Sequence, residues 1–298
     1  MDRVVAERKR GAYIYAISAI LLWSTVATAF KVALEYLSPE ELLLYSSIVS
    51  FVTFYLIISI RGRMDEAFSL FREKPISIVA ISLLNPLSYY LLLFHAYDTL
   101  PAQSALAINY TWGIVLPFLS VPLLGHRLGV SDIVGAILCY LAVLVVATGG
   151  DPLSLKFDSP QGVLCALGST LSWSIYWIAL VKFGKSSEVV LLCSFAIAIP
   201  LMILYMVIAD IPVSLPDIRG TLSAVYVGLF EMGITFVLWG EALRRTDSVS
   251  TISTLIYMTP ILSLFFIHSI VGEKIGFSTI LAIFMILAGL YISKRYKY

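Results

Sequence analysis

Leu124–Gly129 reads LGHRLG, and Val271–Gly276 reads VGEKIG. The second is the first written again 147 residues later, and each closes a long apolar run. At the same offset Tyr110 meets Tyr257, Gly113 meets Pro260, and GAILCYLAV at 135–143 meets AIFMILAGL at 282–290. Toward the start of each half the offset becomes 150, which aligns Trp23-Ser24 with Trp173-Ser174. The chain therefore reads as two copies of one unit, residues 1–149 and 160–298.

What kind of unit follows from composition. Of 298 residues, 59% are hydrophobic and 13% charged, with a mean hydropathy of +0.93. Soluble domains carry about 25% charged residues. Half that charge leaves too little polar surface to coat a water-soluble body, so the expectation is an all-α integral membrane protein. A net charge of +1 lacks the concentrated basic patch that nucleic acid requires. The partners expected are the lipid bilayer and a small molecule, with monomer and homodimer both open. Cys139, Cys165 and Cys193 lie in apolar runs, without metal-ligand spacing or a cofactor motif. The basic start MDRVVAERKR precedes an apolar run too long for a signal core, and it reads as a retained helix.

A helix needs about 20 apolar residues to cross the hydrocarbon. Runs of that size fall near 12–34, 42–60, 75–97, 102–124, 130–149, 160–181, 188–208, 220–243, 249–271 and 276–293. The breaks are short, apart from the amphipathic stretch RGRMDEAFSLFREK at 61–74. Placing the N-terminus inside puts 16 of the 20 Lys and Arg on the cytoplasmic side, leaving Lys31, Lys156, Arg219 and Lys274. Both termini are then cytoplasmic, in the plasma membrane. Five spans per copy is an odd number, so the second copy enters from the opposite side. Inverted repeats of this kind are the architecture of alternating-access carriers.

These features resemble the drug/metabolite transporter superfamily, and both halves are similar to its EamA-type repeats. The motifs that carry the resemblance are WS in the first span of each half and the glycine-bounded turn closing the fourth. The resemblance implies ten helices as two inverted five-helix repeats around a central cavity lined by spans 1, 3, 4, 6, 8 and 9. Spans 5 and 10 would pack at the repeat or dimer interface. Ile108–Trp112, INYTW, is similar to the fourth span of the superfamily's aromatic amino-acid exporters, with Gly113 where proline usually follows.

Glu231 stands out in LFEMGITF, 12 residues from Arg219 and 13 from Arg244. At 1.5 Å per residue it lies near the bilayer centre, where a charged carboxylate costs roughly 2.5–3.5 kcal/mol on insertion scales. Desolvation favours the neutral acid, so the group suits proton coupling or pairing with a substrate ammonium. A protonated acid bonded to a neighbouring helix is the structural alternative. Asn85 and Tyr89, four apart, share a face of span 3; Asn109, Tyr110 and Trp112 sit together in span 4. Amides there either bind substrate or hold helices together. Trp23, Trp173, Trp177 and Tyr257 complete the candidate substrate-binding set, though Trp and Tyr also gather at membrane interfaces. Glu241, with Arg244 and Arg245 three and four residues on, reads as a local ion pair.

No HExxH, no GxSxG and no mid-membrane aspartate pair is present, which disfavours an intramembrane enzyme. The reading is a secondary transporter, an exporter by resemblance, moving zwitterionic or cationic metabolites such as amino acids; a passive channel is the alternative. No Lys or Arg lies inside a span of the second half, which disfavours anionic phosphates.

Overall fold

A computed structural model describes residues 2–125, 128–153, 159–183, 186–246, 252 and 255–295, all helix or connecting turn. The His126-Arg127 pair of the first signature turn, Lys156, Lys185 and most of the last five residues fall outside the described residues.

The helices are α1 (Asp2–Ala33), α2 (Pro39–Ile60), α3 (Met64–Glu73), α4 (Pro75–Ser82), α5 (Tyr89–Thr99), α6 (Ala102–Asn109) and α7 (Trp112–Leu124). They continue with α8 (Val130–Ala147), α9 (Pro160–Phe183), α10 (Ser187–Ile208), α11 (Ile218–Tyr226) and α12 (Ile234–Arg245). Last come α13 (Met258–Phe266) and α14 (Phe277–Arg295). Eight stretches are long and apolar enough to cross a membrane, and their ends agree with the expected spans to within a few residues. Two shorter apolar helices, Met258–Val271 and Phe277–Ser293, fall where spans nine and ten were expected. Part of the expected ninth span, residues 247–251, 253 and 254, lies outside the described residues.

Local chemistry sets the helix ends. Ser38 starts α2 with a reciprocal capping box: its hydroxyl accepts from the Glu41 N–H at 3.2 Å, and its own N–H donates to the Glu41 carboxylate at 3.1 Å. The 61–74 stretch does form an amphipathic helix, α3, which buries Ala67 and Leu70 and packs on α10.

The chain folds into two compact units, and they are not the two sequence halves. The first comprises residues 1–79 and 185–266; the second comprises 80–184 and 267–298. Each draws helices from both halves.

In the first unit α1 packs on α11, α12 and α13, and α2 packs on α10. At the end of the unit where α2 stops and α10 starts, a charge network forms. Arg61 and Arg63 reach Glu188 at 2.7 and 3.1 Å, and Arg61 also approaches Glu241 at 4.0 Å. Glu241 holds Arg244 and Arg245 at 2.6 and 3.1 Å, the pair expected from sequence, and Arg245 lies over the Tyr15 ring of α1 at 4.7 Å. Residues far apart in sequence thus share one ionic cluster.

In the second unit the closest pair is α8 with α14. A methyl group on Gly135 would lie 2.5 Å from the Gly289 carbonyl oxygen, so the two backbones touch, the close approach that small residues permit in membranes. Buried Asp132 ties the same pair, accepting from Gly129 N–H at 2.9 Å and from Ser293 Oγ at 2.5 Å. The described ends of the two signature turns have matching backbone. Gly125 and Gly272 both have positive φ, 73° and 79°, which a side chain would resist. The Gly129 carbonyl accepts from the N–H groups of Asp132 and Ile133, and the Gly276 carbonyl from those of Thr279 and Ile280, at positions matched by the 147-residue offset. In VGEKIG, Glu273 also caps α6, accepting from the Ala102 and Gln103 N–H groups at 2.7 and 3.3 Å.

Candidate functional site

Among the described residues, three spans are interrupted partway, and a turn stands directly before a fourth apolar helix. In the second unit, Leu83–Ser88 is π-helical, and Asn85 inside it has extended backbone angles (φ −143°, ψ 120°) ahead of Pro86. Proline lacks the N–H that would continue the ladder. Further on, α6 ends at Asn109, and Tyr110-Thr111 form a turn before α7. In the first unit, Val227–Glu231 is π-helical and Met232-Gly233 breaks the helix before α12. Residues 256–257 form a turn directly before α13. Under the 147-residue offset, Leu84 corresponds to Glu231 and Tyr110 to Tyr257, so the interruptions fall at matched positions in the two halves. Irregular backbone at membrane depth is tolerated where protein or a water-filled cavity satisfies it.

The first unit satisfies its break with hydroxyls. Ser46 and Ser50 of α2, both buried, donate to the carbonyls of Ala224 and Gly228 at 3.3 and 2.9 Å. Thr235 donates to the Phe230 carbonyl. A methyl group on Gly228 would lie 2.6 Å from Val49 Cβ and 2.7 Å from the Ser46 carbonyl oxygen, so α2 and the break are in direct backbone contact. Glu231 ends this segment and is 8% exposed. The segment packs against α1, the helix that carries Trp23. The Trp23 ring itself meets Phe236 edge-on at 5.8 Å and Trp239 at 5.6 Å. Tyr257 sits half-buried in the turn before α13.

The second unit gathers aromatic rings around its break. Trp173 of α9 stacks on Tyr89 at 4.4 Å and touches Tyr176 and Trp177 at 5.6 and 5.7 Å. The pair Trp173–Tyr89 is the offset mate of Trp23–Phe236, so one ring contact occurs once in each unit. Ser172 donates to the Leu84 carbonyl at 3.1 Å. Asn85 is fully buried, with no hydrogen-bond partner for either amide atom. The Tyr176 hydroxyl, on the helix packed against this segment, is also buried without a hydrogen-bond partner. Asn109 has a structural partner, donating to Ser169 Oγ at 3.0 Å and joining α6 to α9. Ser174 Oγ donates to the Trp112 carbonyl at 3.3 Å, holding the start of α7 on the same helix.

Of the residues picked from sequence, the fold therefore brings Asn85, Tyr89, Trp173 and Trp177 into one cluster. Asn109, Tyr110 and Trp112 lie at the second interruption of that unit, while Trp23, Glu231 and Tyr257 belong to the other unit. Sequence reasoning missed Tyr176, although it stands in plain view within SWSIYW; only the rotation of α9 shows where its hydroxyl goes. It also missed Ser46 and Ser50, ordinary serines until the break they satisfy is known. Among the described residues, no group of three or more His, Cys, Asp or Glu could hold a metal ion.

Comparison with known proteins bears on what such an arrangement serves. YoaV, an uncharacterized transporter of Bacillus subtilis strain 168, is 25% identical over 280 residues, spanning 93% of this chain and 94% of its own. The aromatic amino acid exporter YddG of Ancylobacter novellus is 26% identical over 265 residues, spanning 86% of this chain and 87% of its own. A protein of known crystal structure, 24% identical, has the same fold at a TM-score of 0.66, covering 95% of this chain and 97% of that one. The EamA-like transporter family matches twice, over residues 10–148 and 160–294. Interrupted apolar helices, a signature turn present twice and two family matches that together span most of the chain lead to one conclusion: this multi-pass membrane protein belongs to the EamA-like transporter family.

Proposed function

We propose that the protein is a secondary transporter that exports small zwitterionic or cationic metabolites, amino acids above all, by alternating access. The observation that carries this reading is the set of interruptions at offset-matched positions. Carriers built from inverted repeats place substrate and coupling ion at discontinuous helices near the midplane. Here the interruptions bring polar residues and freed backbone groups to mid-span: Glu231 in one unit, Asn85 in the other. The two family matches and the shared geometry of the signature turns support two inverted repeats, residues 1–149 and 160–298. The concentration of Lys and Arg in alternate loops supports both termini on the cytoplasmic side of the plasma membrane. One relative bears the name of an aromatic amino acid exporter, which favours an amino-acid substrate, and the rings around Trp173 supply flat surfaces for it.

Glu231 is the coupling group in this reading. A carboxyl group reached from each side in turn takes up a proton on one side and releases it on the other, which exchange against substrate requires. Proteoliposomes with an imposed pH gradient provide the test. Wild-type protein accumulates labelled amino acid against its gradient, and Glu231→Gln, of equal shape but unable to titrate, does not. Full gradient-driven accumulation by the variant would remove Glu231 from coupling. Flux insensitive to the proton gradient in the wild type would favour a passive channel.

A further inference from the structure

Among the described residues of the second unit, four buried side-chain hydrogen-bonding atoms have no partner: Nδ2 and Oδ1 of Asn85, the Tyr176 hydroxyl and Trp177 Nε1. They belong to one neighbourhood. The Leu83–Ser88 segment that carries Asn85 packs on α9, the helix of Tyr176 and Trp177, and the rings of Tyr176 and Trp177 meet at 6.0 Å. Trp173, stacked on Tyr89, forms the apolar wall beside both. Buried polar groups normally find partners, and a cluster left without them points to a partner that arrives.

Two further observations say what kind of partner. First, the acids and bases of this unit lie at or near span ends; Asp98, Asp132, Glu273 and Lys274 are examples. An ionised group entering the cluster would meet no mid-span countercharge among the described residues of this unit, a costly arrangement at membrane depth. An uncharged group that both donates and accepts suits three donors, two acceptors and ring walls. Second, the other half builds the matching positions without polar residues. Under the repeat offsets Asn85, Tyr176 and Trp177 correspond to Met232, Val26 and Ala27, all apolar. The first unit nonetheless keeps the same tryptophan–aromatic contact, Trp23 on Phe236.

We infer that Asn85, Tyr176 and Trp177 form a neutral subsite that hydrogen-bonds the uncharged polar group of a flat substrate side chain: a phenol, an indole or an imidazole. The inference rests on the proposed reading of an amino-acid carrier and adds a selectivity to it. A site that hydrogen-bonds a substrate hydroxyl rejects the analogue lacking it, because the site's own groups are then left unpaired.

L-Tyrosine and L-phenylalanine differ by that one hydroxyl, so the test is the ratio of their transport in proteoliposomes, with binding to purified protein as a second measure. Wild-type protein favours tyrosine by about tenfold or more. Tyr176→Phe and Asn85→Met, the latter placing the offset mate's residue at position 85, bring the ratio toward one while the thermal unfolding midpoint holds or rises. Equal handling of the two amino acids by the wild type would overturn the subsite and leave the carrier reading standing. A tyrosine preference that survives in both variants would also overturn it. A lowered unfolding midpoint with an unchanged ratio would reassign the three residues to structure. Failure to bind or move either amino acid, or any other tried, would instead overturn the carrier reading itself.

Discussion

Val227–Gly233 in one unit and Leu83–Ser88 in the other interrupt their helices at the same register and do so by different chemistry. In the first, serines of α2 satisfy the loosened carbonyls, Gly228 lies against the α2 backbone, and the segment ends in an acid. In the second, a proline breaks the ladder, Ser172 satisfies one carbonyl, and a neutral amide is buried without a partner. One break is closed by its own unit and carries a titratable group. The other is left with hydrogen-bonding capacity unused. The lesson is that one backbone feature can recur at offset-matched positions on different side-chain chemistry.

Substitutions on the two sides should therefore differ in kind. The largest effect is expected from Glu231→Gln: loss of proton-driven accumulation by about tenfold or more, the consequence of removing a mid-span acid, with folding retained. Asn85→Met should not abolish coupling, and if it did, the assignment of coupling to one unit would break.

Next comes Gly228→Val. Its side chain would drive into Val49 and the Ser46 carbonyl, and overpacking of this kind costs about 1–3 kcal/mol. Thermal unfolding in detergent should show the loss.

A smaller contrast of sign separates the breaks most sharply. Ser50→Ala leaves the Gly228 carbonyl without its α2 donor and should destabilise by about 1 kcal/mol. Asn85→Met removes a buried amide that has no partner and should be neutral or stabilising by a similar small amount. Equal destabilisation by both would mean that Asn85 is structural in the same sense as Ser50.

The smallest effect is expected at the ionic cluster of the first unit. Glu188→Gln removes the acceptor shared by Arg61 and Arg63, but the site is partly open to water. The loss should be about 0–1 kcal/mol and should vanish in high salt.

Much of this molecule was legible beforehand, for identifiable reasons. Glu231 announced itself because a lone charge in an apolar run has few innocent explanations. The Glu241–Arg244–Arg245 cluster followed from helical spacing alone. Asn109 was open between substrate binding and helix joining, and the Ser169 hydroxyl now supplies the joining partner. Tyr176 escaped notice because its neighbours, two tryptophans, were louder, and its importance lies in what its hydroxyl fails to meet. Pro86 marks the break of the third span, since proline lacks the N–H that continues the ladder, whereas Val227–Glu231 contains no proline and gives no such local warning.

The sequence by itself determined the membrane class, the apolar segments and the doubling of the signature turn. Those properties are local or periodic: a bilayer imposes a length on every apolar run, and a turn with positive φ at Gly125 and Gly272 favours glycine there. Only the tertiary structure decided which helices from the two halves pack together and where the eighth span loosens. The reason is physical. An α-helix gives up its ladder only where something else satisfies the backbone, and for Gly228 that something is a serine 178 residues away.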